Sequence, residues 1–264
     1  MKPGDYVLPS SESESRRLEK QAMLYGGIDF LTPFLEARPV TVLDVGCGTG
    51  VFTRQVAASL PSSNVLGVDM DQERLALARS AGTGVNDRYE SGELTHLPVD
   101  SDSVDLVFCR FVLIHAPDPT AALGEMVRVC KPGGQIVAYE MMHDGIWFSP
   151  PKPAMSELLQ VLMGVMRERG MEPSQGLHVA PALIRAGLEQ VEVQAVPHHA
   201  LAHEPLFEVY RRNWIETVSG LDQILGASFD ADLIARALEE LERTGGDELL
   251  LELAVLAHGR KPTA

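Results

Sequence analysis

The sequence predicts an α/β fold in which a mostly parallel β-sheet is covered by helices on both faces. One observation is that short apolar runs, rich in β-branched residues, alternate with segments whose apolar residues recur at helical spacing. A second is that these runs are apolar at successive positions, as in strands that are buried on both faces. The chain has 264 residues, 45% of them hydrophobic, which suits one large domain with additions.

The first forty residues are expected to form helices that precede the first strand. Met1–Ser11 is polar and rich in Pro, Gly and Ser, and a helix then begins at Ser11 or Ser13, where Ser-x-x-Glu and Ser-x-x-Arg patterns occur. Ile28–Glu36 has apolar residues on one face and predicts a second, short helix.

Strands and helices alternate regularly from residue 40 to residue 140. The Lys131–Gly134 turn carries Pro at its second position and Gly at its third, as a type II turn requires. The predicted strands are Val40–Val45, Val65–Asp69, Val85–Glu90, Val104–Cys109 and Gln135–Glu140, and the helices between them are Thr49–Ser59, Asp71–Ser80 and Pro119–Val129.

After Glu140 the alternation is interrupted by two segments of helical character. Helices are predicted near Met155–Arg169, Ala180–Ala186, Glu204–Gly220 and Asp230–Arg243, with a sixth strand at Val191–Val196. The Leu-rich run Leu249–Ala257 is ambiguous between strand and helix, because its periodicity fits both.

Composition narrows the classes of function. The net charge of −15, without any run of Lys and Arg, argues against a nucleic-acid partner. No stretch approaches the roughly 18 consecutive apolar residues of a membrane span, and the polar N-terminus lacks a signal core, so a cytoplasmic location is expected. Cys47, Cys109 and Cys130 have neither zinc spacing nor an even disulfide framework, and we expect them to be reduced.

Three glycines at alternate positions follow the first strand. Gly46, Gly48 and Gly50 would let the backbone approach a ligand closely, and the helix that follows adds free N–H groups and a partial positive charge. Dinucleotide-binding turns have the spacing G-x-G-x-x-G, whereas this turn has G-x-G-x-G, which disfavours an NAD-type oxidoreductase. A tight turn without a ligand is the alternative.

An acidic residue stands at the tip of the second predicted strand. Asp69 lies about 20 residues beyond the glycine turn, the distance at which a carboxylate can accept hydrogen bonds from ribose hydroxyls. Met70 follows it and could lie against an adenine ring. An ordinary surface Asp and a core Met are the alternatives.

The stretch LDVGCGTG, from Leu43 to Gly50, resembles the first motif of class I S-adenosylmethionine-dependent methyltransferases. The Ser91–Leu94 stretch resembles the family's adenine-binding segment, with Glu93 where the family usually has Asp. The segment from Cys109 to Asp118 resembles the one beside the methionine part of the cofactor, and the Lys131–Gly134 turn is similar to a turn of the family as well. The resemblance implies S-adenosyl-L-methionine as cofactor and a Rossmann-like sheet of seven strands, with Leu249–Ala257 as the seventh. The cofactor-binding residues expected in this part of the chain are Asp44, Gly46, Cys47, Gly48, Gly50, Asp69, Met70, Gly92, Glu93, Leu94, Arg110 and His115.

The N-terminus resembles the helical lid of bacterial small-molecule methyltransferases of the "methyltransferase domain" type. The resemblance rests on Tyr6, Glu14, Arg17, Leu18 and Gln21. It implies that Tyr6 and Gln21 contact the cofactor and that Tyr6 also lines the substrate site; an amphipathic helix packed on the sheet edge is the alternative. We therefore expect a lid over residues 1–38, a cofactor-binding core over 39–140, and the rest of the sheet over 141–264 with cap inserts at about 141–180 and 197–247.

A methyl acceptor in this architecture must approach above strands four and five. Histidine is the side chain best suited to accept a proton near neutral pH, so His143 and His115 are the candidate catalytic bases. A structural role for either, and catalysis by alignment alone, are the alternatives. The residues expected at the substrate are Tyr6, Phe111, Glu140, His143 and Trp147.

Missing motifs narrow the substrate further. Enzymes that methylate bases of nucleic acids have an Asn/Asp-Pro-Pro-aromatic motif after strand four, where this chain has Cys109–Val112. Asp118 is the only Asp near that strand, so a magnesium site is not expected. His198, His199 and His203 lack an acidic or Cys partner at ligand spacing, so no zinc site is expected either.

The sequence thus predicts an S-adenosylmethionine-dependent methyltransferase that needs no metal. It would act on oxygen or nitrogen of a small organic molecule, of the kind found in secondary metabolism, as a monomer or homodimer. One alternative is a protein that keeps the fold and cofactor but catalyses another reaction or only binds. An NAD-type oxidoreductase is the other.

Overall fold

The computed structural model describes residues 24–221, 230–243 and 245–263. Its centre is a seven-stranded sheet with the strand order β3-β2-β1-β4-β5-β7-β6. The strands are β1 (Thr41–Val45), β2 (Asn64–Asp69), β3 (Asp87–Ser91), β4 (Val104–Arg110), β5 (Cys130–Ser149), β6 (Glu189–Leu201) and β7 (Leu249–Arg260).

Eight α-helices are described around this sheet. Asp71 and Asp118 each cap a helix, because each side chain accepts hydrogen bonds from two backbone N–H groups of the first turn. The helices are α1 (Thr32–Leu35), α2 (Val51–Ser59), α3 (Gln72–Ala81), α4 (Pro119–Val129), α5 (Pro153–Glu168), α6 (Gly176–Arg185), α7 (Pro205–Ser219) and α8 (Ala231–Glu242), and two 3₁₀ turns span Asp29–Leu31 and Leu113–His115. Within the described ranges, no helix is both long and apolar enough to cross a membrane.

The direction of the connections reverses at β1. This strand pairs in parallel with β2 on one side and with β4 on the other, and Val45 lies opposite both Val68 and Cys109. The carboxyl ends of β1, β2 and β4 therefore meet at one edge of the sheet. In open α/β sheets this switch point is where ligands bind.

Alternate residues of the strands supply the cores on the two faces of the sheet. Leu43, Val107 and Ile136 pack against α4 and α6, whereas Val42 and Phe108 pack against α1 and α2 on the other face. A separate core joins α5, α7 and α8, which we call the helical cap, to β5, β6 and β7 through Ile146, Ala200 and Leu250.

The predicted fold class is confirmed, with the seventh strand antiparallel to its neighbours. The predicted boundary of the fifth strand at Glu140 is wrong, because β5 continues to Ser149. It does so across a bulge: Met142 lies opposite Leu253, and Ile146 lies opposite the next residue, Glu252. The sixth strand likewise runs past Val196 to Leu201, and the helix predicted to start at Ser11 or Ser13 falls largely outside the described residues.

Candidate active site

The glycine turn after β1 has a left-handed backbone at each of its three glycines. The φ angles are 75° at Gly46, 54° at Gly48 and 74° at Gly50. A Cβ atom at Gly46 would lie 2.0 Å from Cγ2 of Val112, and one at Gly50 would lie 2.6 Å from Cε1 of Tyr89. Among the described residues, a Cβ at Gly48 would have no neighbour within 4 Å. Packing therefore requires the outer glycines, and the middle one faces open space that a ligand can occupy.

Asp69, at the end of β2, forms a hydrogen bond to the glycine turn. One carboxylate oxygen accepts a hydrogen bond from the N–H of Gly48 at 2.8 Å, and the other accepts one from the N–H of Asp71 at 2.9 Å. The N–H groups of Gly46 and Cys47 both donate to the carbonyl oxygen of Val68. The carboxylate predicted to receive the ribose thus lies against the turn, and each oxygen keeps a lone pair for a further donor.

Asp44 supports the turn from beneath. It is buried, and the hydroxyl of Thr53 in α2 donates to its carboxyl at 2.6 Å. Burial raises the pKa of the Asp44 carboxyl to about 7. Cys47 is also buried, and burial raises the pKa of its thiol. The side chains of Asp44 and Cys47 thus both lie on the buried side of the glycine turn.

The residues predicted around the adenine lie together beyond β2 and β3. The N–H of Gly92 donates to the carbonyl oxygen of Asp69 at 3.1 Å, which joins the two loops. Met70 is 62% exposed. Glu93 is exposed, and Leu94 packs against the edge of the core. The loop that carries Glu93 and Leu94 is therefore joined to the end of β2, and the contact of these side chains with an adenine ring stays a prediction.

Arg110 at the end of β4 is surrounded by aromatic rings. Its guanidinium carbon lies 4.4 Å from the ring centroid of Phe52 and 4.2 Å from that of Phe111. Tyr25 and Tyr139 are within 6 Å as well. Burial lowers the pKa of Arg110 to about 10, so the side chain stays charged at neutral pH. Phe111 has a φ of 55°, a left-handed conformation that is uncommon for an aromatic residue.

Glu140 holds the loop that follows β4. It is fully buried, and its Oε1 accepts hydrogen bonds from the N–H groups of Val112 at 2.9 Å and Leu113 at 2.8 Å. Burial raises the pKa of this carboxyl to about 7. Because Tyr139 faces the aromatic rings, Glu140 as the next residue in the strand faces the opposite side. The geometry gives Glu140 a positioning role in the described structure, in place of the predicted contact with substrate.

The two candidate bases, His115 and His143, lie close to one another. Burial and the neighbouring His143 lower the pKa of His115 to about 4. His143 lies in the β5 bulge, where its Nδ1 is 2.7 Å from the carbonyl oxygen of Pro173. A carbonyl can only accept, so Nδ1 carries the hydrogen and Nε2 of His143 is the proton-accepting nitrogen. Burial also lowers the pKa of His143, which leaves the ring neutral at pH 7.

A polar group that the sequence did not predict lies between the aromatic rings and the helical cap. The Tyr139 hydroxyl and Nε2 of His198 share a hydrogen bond of 2.5 Å. Glu252, fully buried on β7, accepts hydrogen bonds from the hydroxyl of Tyr25 and the indole N–H of Trp214. Burial raises the pKa of Glu252 to about 7 and lowers that of His198 to about 4. We call Tyr25, Tyr139, His198, Trp214 and Glu252 the polar aromatic cluster.

The remaining predicted residues are not brought to this cluster. Trp147 is 50% exposed and follows Ile146, whose side chain packs in the cap core, so Trp147 points to the other face. Tyr6 and Gln21 lie outside the described residues. His199 is exposed, and in the part of the chain that the structure describes no three His, Cys, Asp or Glu side chains form a group suited to a metal ion.

The glycine turn lies at the switch point of a mostly parallel sheet, and an acid stands at the tip of the next strand. This arrangement is typical of nucleotide-binding α/β proteins.

A family model described as "Methyltransferase domain" matches residues 43–138. The ubiquinone biosynthesis O-methyltransferase of Hahella chejuensis is 27% identical over 70% of this chain and 75% of its own length. The malonyl-[acyl-carrier protein] O-methyltransferase of Pectobacterium atrosepticum is 36% identical over 39% of each chain, so this match spans well under half of that relative.

A solved structure shares the fold. The Haemonchus contortus phosphoethanolamine N-methyltransferase 2, in complex with phosphomonomethylethanolamine and S-adenosylhomocysteine, superposes with a TM-score of 0.54 and 18% identity, over 97% of this chain and 54% of the other. The matched segment, residues 43–138, is a methyltransferase domain of the class I S-adenosylmethionine-dependent type, whose cofactor is S-adenosyl-L-methionine. The open space at Gly48 and the carboxylate of Asp69 beside it fit this cofactor.

Proposed function

We propose that the enzyme methylates an oxygen or nitrogen atom of a small organic molecule, of the kind found in secondary metabolism. The observation that carries this proposal is the polar aromatic cluster, which joins the end of β4 and β5 to the helical cap. Sites for small molecules are mostly apolar and aromatic with a few placed polar groups, as this cluster is. The two curated relatives, both named O-methyltransferases, favour oxygen as the acceptor atom.

S-adenosylmethionine brings an already activated methyl group on its sulfonium. The protein then has to hold the two reactants in line and exclude water, and orientation alone can supply roughly 7–11 kcal/mol of the barrier. We propose that the Gly46–Gly50 turn, Asp69, Met70 and the Gly92–Leu94 segment hold the cofactor. Glu140 fixes the loop over which the acceptor approaches, through Val112 and Leu113.

We propose His143 as the group that accepts the proton of the acceptor. Its Nδ1–H donates to Pro173, which fixes the ring and leaves Nε2 as the acceptor nitrogen. Burial lowers its pKa, and a base with a lowered pKa stays neutral to a lower pH. Turnover is therefore expected to persist to a lower pH than it would with a base that has the ordinary pKa of histidine. His115, whose pKa is lowered to about 4, is the second candidate.

Transfer of labelled methyl from S-adenosylmethionine to a panel of phenols and amines tests the proposal. With an accepted compound in hand, His143→Ala should lower kcat by about 10²- to 10⁴-fold and leave the affinity for S-adenosylhomocysteine within a factor of a few. His199→Ala, at an exposed histidine in β6, is the matched control and should behave like the parent. Unchanged turnover in His143→Ala would mean that alignment alone drives the reaction. If the cofactor binds but no methyl reaches any compound, the protein keeps the fold for another role.

We also propose that residues 1–38 form a lid, residues 39–140 the cofactor-binding core, and residues 141–264 the rest of the sheet with the cap. The hydrogen bond from Tyr25 to Glu252 supports the lid, because it ties the end of this segment to the cap side of the sheet. The net charge of −15 supports a partner other than nucleic acid. The free, buried cysteines Cys47, Cys109 and Cys130 support a cytoplasmic location. Light scattering would show whether the enzyme is a monomer or a homodimer.

A further inference from the structure

The guanidinium of Arg110 has an edge without hydrogen-bond partners. Its Nε and Nη2 atoms are buried, and neither donates to an acceptor among the residues that the structure describes. The aromatic rings of Phe52 and Phe111 lie against the group, but ring faces cannot accept the hydrogen bonds that the N–H groups direct within the guanidinium plane. The positive charge is thus surrounded by rings, with two donors unused.

The neighbouring carboxyl groups do not supply hydrogen-bond acceptors for the Nε–Nη2 edge of Arg110. Asp44 and Glu140 are the nearby acids that act on Arg110 electrostatically, but the Asp44 carboxyl bonds to Thr53 and Glu140 bonds to the backbone of the loop. Leaving a buried donor unsatisfied is unfavourable, and a buried unpaired charge more so. A buried polar group without a partner calls for an explanation, and a ligand that supplies the missing partner is one.

The position of this edge identifies where the ligand would lie. Arg110 ends β4 at the switch point, and Phe52, in the first turn of α2, ties it to the glycine turn. On its other side Tyr25 and Tyr139 connect it to the polar aromatic cluster. The residue as a whole is partly exposed, but Nε and Nη2 themselves are covered. A molecule that binds this edge, from the cofactor side or from the acceptor side, therefore has to displace a neighbouring ring.

We propose that the Nε–Nη2 edge of Arg110 binds the carboxylate of a small molecule held at the end of β4. Two parallel N–H donors on one edge of a guanidinium match the two oxygens of a carboxylate. S-adenosylmethionine has one carboxylate, on its amino-acid part, and an acceptor with a carboxylate would be the other source. If the cofactor provides the carboxylate, the proposal depends only on the family of the protein. If the methyl acceptor provides it, the proposal rests on the proposed function.

Calorimetry with matched ligands separates the two sources. S-adenosyl-3-thiopropylamine differs from S-adenosylhomocysteine only in lacking the carboxylate. If the cofactor supplies it, the parent should bind S-adenosylhomocysteine about 10- to 100-fold more tightly than the amine, the range expected for hydrogen bonds to a charged group. In Arg110→Met that difference should vanish while the affinity for the amine stays the same.

If the acceptor supplies the carboxylate, both cofactor analogues should bind the parent and Arg110→Met alike. Benzoate, chosen for the aromatic surroundings, should then bind the parent saturated with S-adenosylhomocysteine about 10-fold or more tightly than benzamide, and Arg110→Met should lose this preference. Arg110→Lys, which keeps the charge without the two-donor edge, should lose most of the effect in either case.

The proposal is overturned if Arg110→Met changes neither comparison. The melting temperature of the ligand-free variant tells a lost binding edge from a damaged fold, because removing an unpaired buried charge should not lower it. A marked fall in melting temperature would assign Arg110 a structural role instead and would also overturn the proposal. These experiments measure binding, so a negative result for Arg110 does not contradict the methyl-transfer proposal. Likewise, absence of methyl transfer does not contradict the proposal for Arg110.

Discussion

Glu252→Gln tests whether a buried carboxyl in the polar aromatic cluster titrates within the stable range of the protein. Glu252 is 0% exposed, and its two oxygens accept hydrogen bonds from Tyr25 and Trp214. Burial raises its pKa from the ordinary value of 4.5 to about 7. Gln keeps an oxygen that can accept from Trp214 and an amide group that can donate to the Tyr25 hydroxyl, but it does not titrate.

The sign of the effect follows from proton binding. Between pH 4.5 and pH 7 the folded state of the parent holds a proton on Glu252 that the unfolded chain releases, so the free energy of unfolding falls as pH rises through this range. Above about pH 7 the contribution is constant. At 1.36 kcal/mol for each pKa unit, the loss between pH 5 and pH 8 amounts to about 2.5 kcal/mol.

Urea unfolding of parent and variant at half-unit steps from pH 5 to pH 8 measures this contribution. The variant should gain about 2.5 kcal/mol relative to the parent across that range, whatever the absolute difference at pH 5. Asp44 and Glu140 titrate in both proteins and cancel from the comparison. Glu189→Gln, at an exposed position in β6, controls for the loss of one negative charge. A difference between Glu252→Gln and the parent that stays constant with pH would refute the reasoning.

Three further predictions concern the cofactor site. Gly46→Ala should lower the free energy of unfolding by roughly 2–4 kcal/mol in urea titrations, because φ is 75° and the new Cβ would lie 2.0 Å from Val112. Gly48→Ala should lower it by only about 1–2 kcal/mol. Equal losses in the two variants would contradict the packing argument. Asp69→Ala should weaken binding of S-adenosylhomocysteine by roughly 1.5–3 kcal/mol in calorimetry, and an unchanged affinity would remove the ribose assignment. Turnover should survive a chelator, since the described residues offer no group of metal ligands, and activity restored only by magnesium would contradict this.

The cofactor half of the fold could be predicted because its signals are local. The glycine turn, Asp69 and the Gly92–Leu94 segment each lie within a few residues of a strand end, and a parallel sheet brings those ends to one edge. The extension of β5 could not be predicted, because Gly145 and the polar pair His143 and Asp144 interrupt the apolar run. They stand in the bulge, where the pairing with β7 skips them.

The acceptor half depends on residues that are far apart in the chain. The cluster draws on four elements and the turn that holds Tyr25, and nothing in the spacing of Tyr25, Tyr139, His198, Trp214 and Glu252 relates them. One local signal was available: Glu252 is a single acid in an apolar run that becomes a central strand. Charged residues are almost never fully buried unless they have partners, so such a position predicts a buried polar contact, although its partners are known only from the fold.

The position of Glu140 in its strand distinguishes a residue that contacts a ligand from one that positions the protein backbone. The sequence places a carboxylate at the end of a strand that borders the reaction site, and that position alone suits either role. Successive residues of a strand face opposite sides, so once Tyr139 is known to face the polar aromatic cluster, Glu140 must face away from it. There it accepts the N–H groups of Val112 and Leu113. Val112 in turn occupies the space that a side chain at Gly46 would need. Glu140 in β5 therefore acts on the cofactor turn through the loop after β4. The contact between Val112 and Gly46 explains why the family motif requires a glycine there.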